Sequence, residues 1–433
     1  MPPASPDPRP VLSVDEAQRA LLARVHPVPV EDRLLEHALG HALAAPVTSP
    51  VTLPPWPNAG MDGYAVRRAD VLGASPEAPV ALRVVGELAA GGTTRLVIAE
   101  GRAARIMTGA PLPDGADTVI RVEDSDGGTE VVRLHNDRDA QTPTRNVRPR
   151  GEDVTEGDAV ANAGDTITPA LLGVLASVGA TTVAVYRAPR VVIASTGDEL
   201  LEPSGIAAVR EGAGIVSSSS WALPALLRAT GADVRVLPLL PDDRALQRDA
   251  LSAALEHDCD LLVTTGGVSM GARDHVRDVI RDLGGRLDVH RIRMRPGAPL
   301  SAGHVQGTPW IGLPGNPVST LVTAELFVRP VVRALGGHRR VAPHPVPVRV
   351  AEDMVAAAPL TFFLRVALTV GADGVLEARL AGRQGSNLLT SMARADALLR
   401  VDGPVTLPAG TLHPVLLLDH GLLGAAGRTP VAA

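Results

Sequence analysis

The sequence predicts an α/β plus β chain of several domains. A central, doubly wound α/β domain spans 188–337, and a helical N-terminal or linker domain is split between 11–48 and 154–187. A small β domain is inserted at 49–153, and a β-barrel-like domain follows at 338–433. Three observations predict this. The chain has 433 residues, more than the roughly 250–300 at which a single core stops growing. Between 188 and 335, continuous β-branched runs alternate with helical patterns, which marks a mostly parallel sheet covered on both faces. On either side of that stretch the texture changes to short alternating segments separated by Gly, Pro and Asp.

Each element follows in order. In "SVDEAQRALLARV" the apolar residues recur at helical spacing, with Ser13 as N-cap and Glu16 completing a capping box. "VEDRLLEHALGHAL" predicts a second helix, and "TPALLGVLASVGA" a third. Between them, "ALRVVGEL", "GRAARIM" and "DTVIRVED" read as strands of the inserted β domain. In the central domain "RVVIAST", "DVRVLPLL", "DLLVTTGG", "LDVHRIRM" and "TPWIGLPG" are strands, and "GIVSSSSWALPALL" opens a helix on a run of serines suited to N-capping. After 338, "VPVRV", "FFLRVALTV", "ALLRV" and "PVLLL" form the last β unit.

Hydrophobic residues make up 45% and charged residues 20%, which excludes global disorder. The net charge of −6 and the scattered placement of arginine exclude a nucleic-acid-binding surface. Small anionic substrates stay compatible. The chain contains no lysine, so any cationic task falls to arginine. The single cysteine, Cys259, forms neither an intrachain disulfide nor a thiolate metal site, and reads as structural. "MPPASPDPRP" lacks the basic start and apolar stretch of a signal peptide, and no uncharged run reaches membrane-spanning length; the expectation is a cytoplasmic protein without membrane insertion.

Three loops follow strands and should share the carboxyl edge of the sheet, where open α/β sheets bind ligands. In "TTGGVSMGARD", Gly266, Gly267 and Gly271 let the backbone approach a ligand, Ser269 offers a hydroxyl to phosphate oxygens, and Asp274 caps the next helix or faces the ligand. "STGDEL" sets Asp198 and Glu199 beside that loop; carboxylates next to an anion site imply a hard cation such as Mg2+, with Asp198 and Asp274 as its ligands. "GLPGNPVS" is a rigid loop in which Pro314, Gly315, Asn316 and Pro317 shape a helix entry. Taken singly, each loop also reads as an ordinary strand-to-helix turn.

As a set, in order, "MDGYA", "RIMTGAP", "RGEDV", "STGDEL", "TTGGVSMGARD", "GLPGNPVS" and "GSNLLTSMARADAL" resemble the molybdopterin molybdenumtransferase family, the MoeA proteins and the E domain of gephyrin, over roughly 11–420. The sister molybdopterin adenylyltransferases and competence-damage-type proteins share only the α/β domain, of the molybdopterin-binding type. The resemblance implies a cytoplasmic homodimer that inserts molybdate into adenylylated molybdopterin with magnesium and releases AMP. Its cleft is expected between the α/β domain of one subunit and the inserted β domain of the other, with a molybdopterin adenylyltransferase or another protein as partner. Carried over by motif, Asp62, Asp153, Glu199 and Asp274 are catalytic, Thr108 and Ser217 bind substrate, and Arg295, Arg365 and Ser386 are anion contacts.

The chain departs from the family pattern at three places. Ser217-Ser218-Ser219 stands where Asp-Ser/Thr-Asn is usual, Arg295-Pro296-Gly297-Ala298-Pro299 replaces Lys-Pro-Gly-Lys-Pro, and Leu360 replaces the first arginine of Arg-x-x-Phe-x-Arg. These losses of charge at Ser217, Ala298 and Leu360 leave a second expectation open, a gephyrin-like paralogue acting as a dimeric scaffold.

Overall fold

The computed structural model describes residues 11–92, 95–267 and 275–418. The chain divides into two compact units, 1–45 with 163–169 and 182–433, and 46–162 with 170–181.

In the first unit the helix Val14–Leu22 starts as its sequence dictates. Ser13 Oγ accepts the Glu16 N–H at 3.3 Å while Glu16 Oε2 accepts the Ser13 N–H at 2.7 Å, and Val14, Ala17 and Leu21 turn into the core. The expected second helix is absent. Val30–Leu34 is a strand paired antiparallel with Thr182–Tyr186, followed by a single 3₁₀ turn, Leu35–His37. Helical spacing there is overridden because cross-strand pairing satisfies the backbone, leaving Val30 and Leu34 exposed. The third predicted helix forms as Pro169–Ser177, and all of it beyond Pro169 belongs to the second unit.

The central sheet runs in the order Asp233–Val236, Arg190–Ser195, Leu261–Thr265, Thr308–Leu313, Ser301–Val305, Arg286–Val289. The first four strands are parallel, and Ser301–Val305 is antiparallel to both of its neighbours. Successive residues of one strand serve opposite cores, as two-sided burial requires. Val191 and Ile193 join Leu223, Leu227, Val318 and Phe327 on one face, whereas Val192 and Ala194 join Leu251, Val276, Ile280 and Trp310 on the other. Cys259 lies just before Leu261–Thr265, and burial pushes its thiol up to about 11, which keeps it protonated and inert.

The strands Pro345–Val350, Thr361–Val370, Leu376–Leu380, Ala397–Asp402 and Leu412–Leu417 each pair with two others and close a barrel. Along Thr361–Val370, Phe362, Leu364, Val366 and Leu368 fill the barrel, so Phe363 and Arg365 point outward by the alternation of a strand. The second unit is built on a five-stranded sheet in the order Thr118–Arg121, Gly63–Val66, Arg102–Ile106, Val80–Leu88, Val131–Leu134. Among the described residues no helix is long and apolar enough to cross a membrane.

One buried histidine links this packing to pH. His338 Nδ1 is hydrogen-bonded to Thr166 Oγ1 at 2.8 Å, and burial, then the charges of Arg333 and His41, lower its pKa from 6.5 to about 4. The fold favours the neutral ring, so this contribution is complete above the unfolded pKa and is lost as pH falls from about 6.5 towards 4. Between pH 7 and 5 the urea-unfolding stability is expected to drop by about 1–2 kcal/mol through this residue. In His338→Gln that part of the drop should vanish.

Candidate active site

At the carboxyl edge of the parallel strands, the three predicted loops converge on one cleft of about 540 Å³. Thr196, Gly197 and Glu199 enter from the end of Arg190–Ser195, and Thr265, Gly266 and Gly267 from the end of Leu261–Thr265. Pro314, Gly315, Asn316 and Pro317 enter from the end of Thr308–Leu313. Gly266 has φ +84°, and a Cβ on it would lie 2.4 Å from Thr196 O. Gly266→Ala is therefore expected to lower stability by about 2 kcal/mol or more, measured as the shift in thermal unfolding. Ser269, Gly271 and Asp274 lie outside the described residues.

Pro317 opens the helix Pro317–Thr323 with Asn316 at the N-cap. The Asn316 side chain makes no capping bond and stays exposed in the cleft. The helix start also receives a loop from the barrel. Val318 N–H donates to Ser386 O at 3.1 Å, which brings the neighbouring Asn387 to the cleft.

The serine run corrects the capping expectation. The helix is Ser219–Ala229, but its N-cap Ser218 has helical angles (φ −69°, ψ −30°) and makes no side-chain capping bond; a capping hydroxyl needs an extended N-cap backbone. The hydroxyls bind each other and the sheet instead. Ser217 Oγ and Ser220 Oγ are 2.6 Å apart, Ser220 Oγ donates to Ser195 Oγ at 3.0 Å, and Thr265 Oγ1 donates to the same oxygen at 3.0 Å. Ser217, 4% exposed, thus sits in the cleft wall as part of a neutral hydroxyl network.

Among the described residues of the wall, the charged groups are Glu199 and Asp242, and no arginine or histidine faces the cleft. Asp242 was not anticipated from the sequence. It follows the strand Asp233–Val236, and the same carboxyl-edge rule that singled out the other loops could have found it in "PDDRAL". Asp198 does not line the cleft; its Oδ1 accepts the Asp242 N–H at 2.9 Å.

Positive charge is gathered in a second cavity of about 240 Å³, where Arg295 and Arg365 are joined by the backbone of Gly385. Arg365 is 1% exposed, and burial brings its guanidinium down to about 10, so it stays charged at neutral pH. Its Nε donates to Ser391 Oγ at 3.1 Å, and its Nη2 to Arg383 O and Gly385 O, both at 3.1 Å. These bonds shape the loop that carries Ser386 and Asn387. Two short segments, 295–299 and 385–387, border both spaces: Arg295 and Gly385 line the cavity, Pro299 and Asn387 the cleft. Ala298 and Leu360 place no charge there, and Leu360 packs against the barrel core.

In the second unit, Thr108 donates its N–H and its Oγ1 to Asp62 Oδ1, each at 2.7 Å. These two bonds, the backbone one first, hold the Asp62 carboxyl below its usual range. The Asp153 side chain is exposed, and its backbone N–H is anchored on Leu53 O at 3.1 Å.

Three family models cover the chain consecutively: the MoeA N-terminal region (domain I and II) at 12–179, a probable molybdopterin binding domain at 192–334, and the MoeA C-terminal region (domain IV) at 347–418. Molybdopterin molybdenumtransferase 2 of Mycobacterium tuberculosis is 37% identical over 414 residues, 92% of this chain and 98% of that protein. The chain belongs to the molybdopterin molybdenumtransferase family. The family member from Haemophilus influenzae is 32% identical over 397 residues, 90% of this chain and 94% of its own. A crystal structure of the molybdopterin biosynthesis moeA protein of Pyrococcus horikoshii superposes with a TM-score of 0.79 at 25% identity, covering 94% of this chain and all of that one. Family membership makes the chain a transferase of molybdenum cofactor biosynthesis and does not favour the scaffold expectation.

Proposed function

We propose that this molybdenumtransferase inserts molybdate into adenylylated molybdopterin and releases AMP, as a cytoplasmic homodimer assisted by Mg2+. The supporting observation is the division of charge: a cleft whose charged residues are acidic, with glycine-bearing loops, and a mostly apolar cavity that holds Arg295 and Arg365 and is bordered by the same two segments. The cleft takes the pyrophosphate-bearing substrate. The cavity suits molybdate, an oxyanion that Arg295 and Arg365 attract.

Glu199 and Asp242 fit a hard cation, since Mg2+ is commonly held by one or two carboxylates together with substrate phosphates. When bound, it offsets the repulsion between substrate phosphates and carboxylates. The reaction requires no activated side-chain nucleophile: a molybdate oxygen can attack the adenylyl phosphorus as the bond to the pterin phosphate breaks, and AMP then leaves with that oxygen as the dithiolene sulfurs replace it on molybdenum. The tasks left to the chain are positioning and exclusion of water. Backbone N–H groups of the glycine loops orient phosphate oxygens, and Asn316, Asn387 and Ser217 supply neutral contacts.

By family resemblance, Asp62, Thr108 and Asp153 serve the cleft of the partner subunit, and a molybdopterin adenylyltransferase supplies the substrate. Complementation of a bacterial strain lacking its molybdenumtransferase tests the reading. Restored activity of molybdenum enzymes is expected; a stable, expressed chain that restores none would contradict it.

A further inference from the structure

The segment 237–243 joins the strand Asp233–Val236 to the helix Arg244–Leu255 and brings Asp242 to the cleft. It is pinned at successive residues. Leu240 N–H donates to Ser195 O at 2.9 Å, and Leu240 O accepts the Gly197 N–H at 3.1 Å. Asp242 N–H donates to Asp198 Oδ1 at 2.9 Å, and Gln247 Nε2 donates to Pro241 O at 2.8 Å. Asp243 then caps the helix through the Leu246 N–H at 2.9 Å. The two side-chain bonds to Asp242 and Pro241 therefore arrive from opposite directions along the chain, one from the loop of the neighbouring strand and one from the following helix.

Gln247 is the more telling of the two. Its side chain is fully buried, and its Oε1 has no hydrogen-bond partner. A buried acceptor without a partner is costly, and leucine or methionine would fill the same volume without that cost. The amide earns its place through the nitrogen, which holds the carbonyl next to Asp242. Asp198 offers a parallel case: its neighbour Glu199 lines the cleft, while Asp198 itself turns an oxygen back onto the backbone of 242.

We infer that Asp198 and Gln247 are positioning residues that fix Asp242 in the cleft, and that Asp198 is not a ligand of the cation. The inference rests on the cleft being the catalytic site. Its content is chemical: position 198 needs a hydrogen-bond acceptor, whereas position 242 needs a carboxylate. Asparagine at 198 keeps the acceptor and loses the charge, so it separates the two roles.

The experiment compares AMP release and Mn2+ binding in the presence of AMP, the latter read by electron paramagnetic resonance. The variants are Asp198→Ala, Asp198→Asn, Gln247→Leu, Asp242→Ala and the double variant Asp198→Ala/Asp242→Ala, each with a melting curve. Asp198→Ala and Gln247→Leu are expected to lower kcat by about 10-fold with KM little changed, since a displaced carboxylate acts on the reacting state. Asp198→Asn should restore kcat and bind Mn2+ as the unaltered protein does. In the Asp242→Ala background, Asp198→Ala should have no further effect, because it acts through Asp242. Asp198→Asn falling as far as Asp198→Ala, in rate and in Mn2+ affinity, would assign Asp198 to the metal and overturn the inference. Additive losses in the double variant would do the same. Full activity in Asp242→Ala would instead overturn the reading of the cleft, and the inference with it. The exposed Asp198 variants carry the test should Gln247→Leu fail to fold.

Discussion

Asp242→Ala is expected to slow molybdate-dependent AMP release by on the order of 100-fold. Glu199 and Asp242 are the charged residues of the described cleft wall, and the proposed substrate bears several negative charges. Without a cation, these groups would repel the phosphates; a hard cation held by them would offset that repulsion. Removing Asp242 should therefore change nucleotide binding in opposite directions under two conditions. AMP binding measured with the metal chelated should strengthen, because one repulsive charge is gone. The enhancement of AMP binding by added Mg2+ should shrink. Calorimetric titrations with and without Mg2+ check both signs, and unchanged titrations would remove Asp242 from the site.

Arg365→Met is the substitution expected to cost most in stability, about 2–4 kcal/mol. Methionine fills much of the space but deletes the donors to Ser391 Oγ, Arg383 O and Gly385 O, leaving acceptors in a largely buried place without partners. Ser391 is partly protected, since its hydroxyl also donates to Leu388 O at 2.7 Å. Arg365→Lys should recover only a fraction, because an ammonium lacks the planar fork that reaches both carbonyls. Loosening 383–387 also frees Ser386 from Val318 and Asn387 from the cleft wall. Molybdate affinity should thus fall together with stability. Urea midpoints and molybdate titrations of the two variants provide the measurement.

Much of the architecture was legible because burial on both sides of a parallel sheet writes continuous apolar runs, as in "RVVIAS" and "LLVTT", and because ligand loops must follow such strands. "STGDEL", "TTGG" and "GLPGNP" meet in one cleft for that reason. What escaped depended on direction. The residues Val30–Leu34 keep a helical apolar spacing, yet a partner strand more than a hundred residues away decides their conformation. Adjacent carboxylates at 198 and 199 look equivalent in sequence, but one turns to backbone and the other to the cleft. The motif singled out Arg365, but not that its outward register on Thr361–Val370 would let its Nη2 also hold the loop at Arg383 and Gly385. The serine run looked like a cap, and the helical angles of Ser218 deny it that role. Ser217 instead keeps a neutral hydroxyl in the cleft wall, which leaves Asp242 and Glu199 to supply the negative charge of the described wall.

That division of labour makes a direct demand on turnover. The decisive measurement is AMP release by the purified chain from adenylylated molybdopterin, with Mg2+, in the presence and absence of molybdate. The account predicts AMP formation that depends on molybdate and falls sharply in Asp242→Ala. Binding of adenylylated molybdopterin without AMP release above background, at any molybdate concentration, would contradict it.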